Sequence, residues 1–167
     1  MTAVVDGDTL RVEDLAGRPL GRVRLLGIDA PEVAHPPAPA ECYADQATDL
    51  LEDLAPVGST VQLVTDSGQP DRDRYDRLLR YVDHDDVDLA NELLARGAAR
   101  RYEAARELAR EYSYAAAADD AQEAASGLWG TCWGSGPGMD EQLMTAAKTL
   151  ARWCYGRSVD ERILICG

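Results

Sequence analysis

Clusters of β-branched residues and Leu mark the first half of the chain as strand-rich. They fill residues 2–13 and 20–28, and the sequence Ala16-Gly17-Arg18-Pro19 between them is typical of a hairpin turn. This pattern predicts two antiparallel strands. TVQLV at 60–64 and LLRYV at 78–82 predict two further strands.

Three segments of the chain are predicted to be helical. Leu residues at helical spacing predict a helix over residues 42–54. Asp88 is a suitable N-cap for a short helix that Gly97 would end. The Ala-rich run 104–126 predicts a longer helix, with Gly127 in the position of its C-cap.

The order of these elements indicates a fold class and a domain boundary. Most strands precede most helices, which favours an α+β domain whose sheet could close into a barrel. The domain is expected to cover residues 1–133 and to be followed by a Gly-rich linker at 134–138. Residues 139–167 then form a tail, for which the sequence predicts a helix at its start and no further structure.

Charge and hydropathy narrow the classes of function. Among 167 residues, 30 acidic side chains outnumber 17 basic ones, for a formal net charge of −13. Such a chain does not hold nucleic acid by bulk electrostatics, although a local basic cleft stays possible. No apolar stretch approaches the length of a membrane span, so we expect a soluble protein without a membrane partner.

The four cysteines do not form a metal or redox motif. Cys42, Cys132, Cys154 and Cys166 are widely spaced and contain no C-x-x-C pair. This spacing argues against a zinc site. Buried free thiols and long-range disulfides both fit this arrangement.

Charged residues concentrate near the end of the second predicted strand. Arg24 lies on that strand, and Asp29 and Glu32 follow just beyond it, beside Pro31. One cation and two anions on a stiffened loop form a compact candidate site. The segment Asp6-Gly7-Asp8-Thr9 resembles the start of a calcium loop, but the later positions of an EF-hand are absent.

Five motifs, taken together, resemble those of the staphylococcal nuclease family. They follow the family order, at residues 4–10 (VVDGDTL), 23–32 (VRLLGIDAPE), 73–82 (DRYDRLLRYV), 90–100 (ANELLARGAAR) and 127–130 (GLWG). The resemblance implies a five-stranded OB-fold-type β-barrel with three helices. It also implies calcium-dependent cleavage of DNA and RNA, with single-stranded or locally open nucleic acid as substrate and a 3′-phosphate on the product.

The same resemblance implies a calcium site. Asp8 and Asp29 match the carboxylates that bind the metal in the family, and Ala30 matches the residue that supplies a backbone carbonyl. Hard oxygen ligands of this kind suit Ca²⁺.

The remaining site residues match positions that handle the substrate. Arg24 and Arg77 match the two arginines that hold the scissile phosphate, and Glu32 matches the acid beside the attacking water. Arg74 and Tyr75 match positions that line the nucleotide pocket. Two guanidinium forks and a cation would neutralise the charge that develops on phosphorus.

Further expectations follow from the same resemblance. Similar paired cysteines recur in exported relatives, which predicts a Cys42–Cys132 disulfide and a secreted or cell-envelope protein, and we expect a monomer. Asp76 stands where the family commonly has Gly, so it either pairs with Arg77 or strains the turn. An alternative function is a non-catalytic module that binds nucleic acid or protein on the same barrel.

Overall fold

The structure, a computed structural model, describes residues 1–102, 104, 105 and 107–132. The predicted linker at 134–138 and the tail at 139–167 lie outside these residues, as do Cys154 and Cys166. Within the described part, no helix has both the length and the apolar composition needed to cross a membrane.

The main sheet has six strands. Five are paired in the order β1-β2-β3-β6-β5, and β7 pairs with β6. Neighbouring strands are antiparallel except β3 and β6, which are parallel. The strands are β1 Ala3–Asp6, β2 Thr9–Glu13, β3 Pro19–Leu25, β5 Gln62–Val64, β6 Leu78–His84 and β7 Val87–Asp88.

A two-stranded sheet and the helices complete the fold. β4 Ile28–Asp29 pairs antiparallel with β8 Arg100–Arg101. The helices are α1 Ala44–Leu54, α2 Leu89–Ala95, α3 Glu111–Glu123 and a single turn, α4 Leu128–Thr131. α2 packs on α3 and β6, and a buried apolar core joins the sheet to α1, α2 and α3.

The α+β class and its three helices are confirmed, but a closed barrel is not. Among the described residues, the strand pairings run as an open path that ends at β1 and β5. β4 is only two residues long and pairs with β8 rather than extending the main sheet. The five-stranded OB barrel therefore stays a prediction.

The single strand predicted over residues 2–13 is wrong, because the chain reverses inside it. β1 and β2 pair antiparallel across a turn that contains Gly7 and Asp8. A Cβ on Gly7 would lie 2.7 Å from the Cβ of Ala30 and 2.8 Å from that of Ala47. Only Gly, which has no Cβ, lets this turn approach Ala30 and helix α1 so closely.

The helix predicted over 104–126 is also too long. α3 begins only at Glu111, because tertiary hydrogen bonds engage the preceding backbone. The Ala109 N–H donates to an Asp66 carboxylate oxygen (2.9 Å) and the Arg110 N–H donates to the Tyr81 hydroxyl (3.4 Å). At the other end, Gly127 caps the N-terminus of α4 rather than the C-terminus of α3.

A polar network surrounds the start of α3. The Arg110 guanidinium donates to both Asp83 carboxylate oxygens (2.6 and 2.8 Å) and lies 4.5 Å above the Tyr81 ring centroid. The Tyr81 hydroxyl donates to Asp66 (2.5 Å). Burial and this bond raise the pKa of Tyr81 to about 12, so the phenol stays protonated and donates.

The predicted disulfide is confirmed: Cys42 and Cys132 are bonded, with Cα atoms 5.9 Å apart. The bond joins the segment before α1 to the end of α4, across 90 residues of chain. It ties the loop that follows β4 to the C-terminal end of the described fold.

Loss of this disulfide is expected to destabilise the protein without changing its fold. Opening a loop of this size increases the entropy of the unfolded chain, so the Cys42→Ala/Cys132→Ala variant should lose about 2–5 kcal/mol of unfolding free energy. Chemical denaturation monitored by circular dichroism measures the change. Unchanged stability would contradict the prediction.

Asp66 is expected to make stability depend on pH in the acidic range. Burial acts to raise its pKa, but hydrogen bonds from Tyr81, Ala109 and Gly68 outweigh burial and hold the pKa below its ordinary value. A carboxylate of this kind stabilises the fold above its unfolded pKa, and the contribution disappears as pH falls through the folded pKa.

The Asp66→Asn variant should therefore be about 1.5–3 kcal/mol less stable than the wild type near pH 7. The difference should be complete above about pH 5 and should shrink below about pH 4. Denaturation curves across this range measure it. A difference that is constant with pH would show that packing rather than charge is responsible.

Candidate functional site

Arg24 lies at the centre of the candidate site. It is on β3, opposite Thr9 of β2 on one side and Leu79 of β6 on the other. Its guanidinium forms an ion pair with the Asp8 carboxylate, and its second terminal nitrogen donates to Asp29 Oδ1 (2.8 Å). One planar cation thus bridges two carboxylates that are far apart in the chain.

Asp8 is buried, with 4% of its surface exposed. Its carboxylate accepts hydrogen bonds from the Thr9 hydroxyl (2.9 Å) and the Ala30 N–H (3.0 Å), and its own N–H donates to Asp6 Oδ1 (3.1 Å). Burial raises the pKa of Asp8 above its ordinary value, an effect that the Arg24 charge opposes and the Asp6 charge reinforces. Its burial and these hydrogen bonds show that the turn at Gly7 directs the Asp8 carboxylate into the protein.

Arg77 joins the same cluster through Thr9. Its terminal nitrogen donates to Thr9 Oγ1 (3.4 Å), and that hydroxyl donates to Asp8. Asp73 holds Arg77 in place, because its carboxylate accepts from both Nε (2.7 Å) and the backbone N–H (3.0 Å) of Arg77. Arg24 and Arg77 are therefore placed on either side of Asp8 in one hydrogen-bonded chain.

Asp76 does not pair with Arg77. Its carboxylate lies 3.3 Å from Arg72, and its backbone has a φ of 61°, in the left-handed region. Asp tolerates this region better than most residues, so the turn forms without the glycine.

Arg74 and Tyr75 form an exposed cation–π pair beside Arg77. The Arg74 guanidinium lies 4.6 Å from the Tyr75 ring centroid, and that of Arg77 lies 5.5 Å from it. About half of Tyr75 is exposed. An exposed aromatic face of this kind can stack a nucleobase.

Glu32 stands apart from the cluster. Its side chain is exposed and makes no hydrogen bond or ion pair with residues 1–102, 104, 105 or 107–132. Its backbone, however, is held at both polar groups by Glu41: the Glu32 N–H donates to Glu41 Oε2 (3.2 Å), and the Glu41 N–H donates to the Glu32 carbonyl (2.9 Å).

The donor chemistry of the cluster fits a hard divalent cation. Asp8 and Asp29 both contact the Arg24 guanidinium, so both carboxylates face one small region, next to the backbone of Ala30. Their oxygen atoms suit Ca²⁺. The described residues contain no cluster of three or more His, Cys, Asp or Glu side chains, so main-chain oxygen and water would have to complete the coordination of an ion here.

The structure therefore brings together most of the residues singled out from the sequence. Asp8 contacts Arg24 and the backbone of Ala30, Arg24 also contacts Asp29, and Arg77 joins them through Thr9. The Glu32 side chain makes no hydrogen bond or ion pair with any described residue.

The sequence reasoning missed three supporting residues. Thr9 connects Asp8 to Arg77, Asp73 orients Arg77, and Glu41 holds the backbone of Glu32. A signal existed for Asp73, because an acid four residues before an Arg is a common pairing distance. The other two contacts arise from the tertiary fold.

Residues 22–131 match the family described as staphylococcal nuclease homologue. The matched range includes Arg24, Asp29, Glu32 and Arg77, and Asp8 precedes it. The chain therefore belongs to the staphylococcal nuclease family, as its motifs indicated.

Several characterised and uncharacterised proteins are similar to this chain. An uncharacterized protein of Methanocaldococcus jannaschii is 31% identical over 75% of this chain and 68% of its own length. The SPbeta prophage-derived endonuclease YokF of Bacillus subtilis is 38% identical over 58% of this chain, and the thermonuclease of Staphylococcus hyicus is 35% identical over 47%. The chain spans 31% of YokF and 44% of the thermonuclease.

Asp73 and Asp76 lie in the turn that precedes Arg77, and replacing each of them by Asn is expected to change the stability of the protein differently. Asp73 is mostly buried, and its hydrogen bonds from Arg77 and Tyr75, with the Arg77 charge, outweigh burial and hold its pKa below the ordinary value. Asp73→Asn should cost about 1–2 kcal/mol of unfolding free energy.

Asp76→Asn is the matched control, because it removes the same charge from the same turn and Asn also tolerates a positive φ. It should change stability by less than about 0.5 kcal/mol. Equal losses in the two variants, measured by urea denaturation, would show that net charge rather than the Asp73 contacts matters.

Proposed function

We propose that this protein is a calcium-dependent nuclease that hydrolyses phosphodiester bonds of DNA and RNA. The observation that carries the proposal is the connected cluster of Asp8, Arg24, Asp29 and Arg77, in which Arg24 bridges the two carboxylates and Arg77 joins Asp8 through the Thr9 hydroxyl. Family membership and the endonucleases among the relatives support it. The cluster combines anion-binding forks with hard oxygen donors.

The two arginines bind the scissile phosphate. Each presents several N–H donors in a plane, which matches the oxygen atoms of a phosphodiester. Arg77 keeps its orientation on binding because Asp73 engages its Nε. One terminal nitrogen makes a long hydrogen bond to Thr9 Oγ1 (3.4 Å), which it exchanges for a phosphate oxygen. Arg24 exchanges part of its pairing with Asp8 and Asp29 for phosphate oxygens.

Asp8, Asp29 and the Ala30 carbonyl hold the cation. When bound, Ca²⁺ supplies positive charge that stabilises the oxygen atoms of the phosphate as charge accumulates on them. Three carboxylates, those of Asp8, Asp29 and Asp73, pair with only two guanidinium groups, those of Arg24 and Arg77. A divalent cation balances that excess of negative charge.

Glu32 orients a water molecule and takes its proton. The water oxygen forms a bond to phosphorus as the bond to the 5′-oxygen breaks, and the departing 5′-oxygen takes a proton from solvent. The 3′-phosphate stays on the product. An exposed carboxylate with no other side-chain partner among the described residues is available for this role.

Local features compensate for the net charge of −13. Arg74 and Tyr75 are exposed next to Arg77, and Tyr75 offers a face on which an unpaired base can stack. A groove of about 820 Å³ adjoins Asp29 and is lined by Arg100, Arg101, Tyr102 and Trp129, among others. These features favour a single-stranded or locally open substrate. That the protein acts as a monomer stays an expectation from the family resemblance.

The Cys42–Cys132 disulfide supports location of the protein in an oxidising compartment, outside the reducing cytosol. Structural disulfides persist in oxidising compartments. We therefore propose that the protein is secreted or resides in the cell envelope.

A nuclease assay on single-stranded DNA tests the proposal. Cleavage should require Ca²⁺ and stop in excess chelator. Asp29→Ala should lose most activity because a site with few protein ligands loses one of its two carboxylates, and Arg77→Lys should lower kcat by at least about ten-fold because Lys keeps the charge but not the fork.

Arg96→Lys is the matched control, since Arg96 lies at the end of α2 and, among the described residues, its guanidinium pairs with Glu92 alone. Its activity should stay within about two-fold of the wild type. Cleavage that persists in chelator would refute the calcium role. Binding of DNA without cleavage under any metal condition would favour the non-catalytic module.

A further inference from the structure

The loop between β4 and α1 has little structure of its own to fix Glu32. Residues 32–42 are mostly exposed and contain only one isolated bridge, between His35 and Ala38. Glu32 is exposed as well, and its side chain makes no hydrogen bond or ion pair with the described residues. The position of the Glu32 carboxylate, which must contact a water molecule at a defined point, therefore depends on how the Glu32 backbone is held.

Glu41 holds that backbone at both polar groups. Its carboxylate accepts from the Glu32 N–H (3.2 Å), and its own N–H donates to the Glu32 carbonyl (2.9 Å). The two hydrogen bonds close the base of the loop across nine residues. They restrain the peptide units on both sides of the Glu32 Cα atom.

Glu41 is itself anchored. The next residue, Cys42, is bonded to Cys132, and the Glu41 carbonyl accepts from the Ala44 N–H at the start of α1 (3.2 Å). On the other side of Glu32, the Ala30 N–H donates to the buried Asp8 carboxylate. Glu32 therefore lies between one fixed point at the metal-binding carboxylate and another at Glu41.

We propose that Glu41 is a positioning residue for Glu32, acting by accepting a hydrogen bond from the Glu32 backbone. This inference rests on the proposed function, in which Glu32 acts on the attacking water. Glu41 itself does not touch substrate or metal. Its effect depends on an acceptor oxygen rather than on its charge, because the contact is with a backbone N–H.

The two variants Glu41→Gln and Glu41→Ala separate the effect of the acceptor oxygen of Glu41 from the effect of its negative charge. Gln keeps an acceptor oxygen at the same distance along the side chain, whereas Ala removes it. Glu41→Ala should lower kcat by about ten-fold with little change in KM, because a displaced catalytic group loses rate even when the substrate still binds. Glu41→Gln should stay within about two-fold of the wild type.

A double-mutant cycle with Glu32→Gln identifies the route of the effect. If Glu41 acts through Glu32, Glu41→Ala should have almost no effect on kcat in the Glu32→Gln background. Glu52→Ala, an exposed acid on α1, is the matched control and should leave kcat unchanged in both backgrounds. Calcium affinity measured by calorimetry should be the same in wild type, Glu41→Gln and Glu41→Ala.

Amide hydrogen exchange provides a readout that does not depend on activity. The Glu32 amide should exchange faster in Glu41→Ala than in wild type and Glu41→Gln. If that change occurs but the wild type shows no calcium-dependent cleavage, the proposed function fails while the positioning contact stands.

Three results would overturn the inference. One is an unchanged Glu32 exchange rate in Glu41→Ala. The second is a loss of kcat in Glu41→Gln as large as in Glu41→Ala. The third is a loss of kcat in Glu41→Ala that persists in the Glu32→Gln background.

Discussion

The burial of the Asp8 carboxylate is the constraint on which the site depends. A buried charge is stable only when hydrogen bonds and an opposite charge compensate for lost hydration. Here the partners are Thr9 on β2, Arg24 on β3 and the backbone of Ala30 after β4. The turn at Gly7, the register of the β2–β3 hairpin and the path of the following loop must all be correct for one carboxylate to be satisfied.

This constraint also explains how the site serves both folding and function. Arg24 compensates Asp8 in the folded protein, and the same guanidinium is the group proposed to bind phosphate. In the proposed mechanism, a substrate phosphate and a cation would exchange partners with Arg24, Asp8 and Asp29, so that none of these charges would be left unpaired. Holding these groups together before the substrate binds would lower the cost of ordering them.

A second polar network fixes the other half of the fold. Asp66 accepts from Tyr81 and from the backbone before α3, and Arg110 pairs with Asp83 and Asp88. These bonds decide where α3 begins and connect it to β6 and the start of α2. The Cys42–Cys132 disulfide then ties the loop that carries Glu32 to the end of α4, so that an exposed segment shares the stability of the core.

The sequence by itself determined the family, the α+β class and the approximate positions of α1, α2 and β6, which are encoded in ordered motifs and in local spacings such as the Asp88 cap. The pairing of Cys42 with Cys132 was predicted only through the family resemblance, because the cysteine spacing also fits free thiols. Only the tertiary structure decided the break at Gly7, the late start of α3, the open strand path and the supporting roles of Thr9, Asp73 and Glu41. The physical reason is that most of these features depend on contacts between distant segments. Asp8 meets Ala30 across 22 residues, Asp66 meets Ala109 across 43, and Thr9 meets Arg77 across 68, and no local propensity reports such hydrogen bonds.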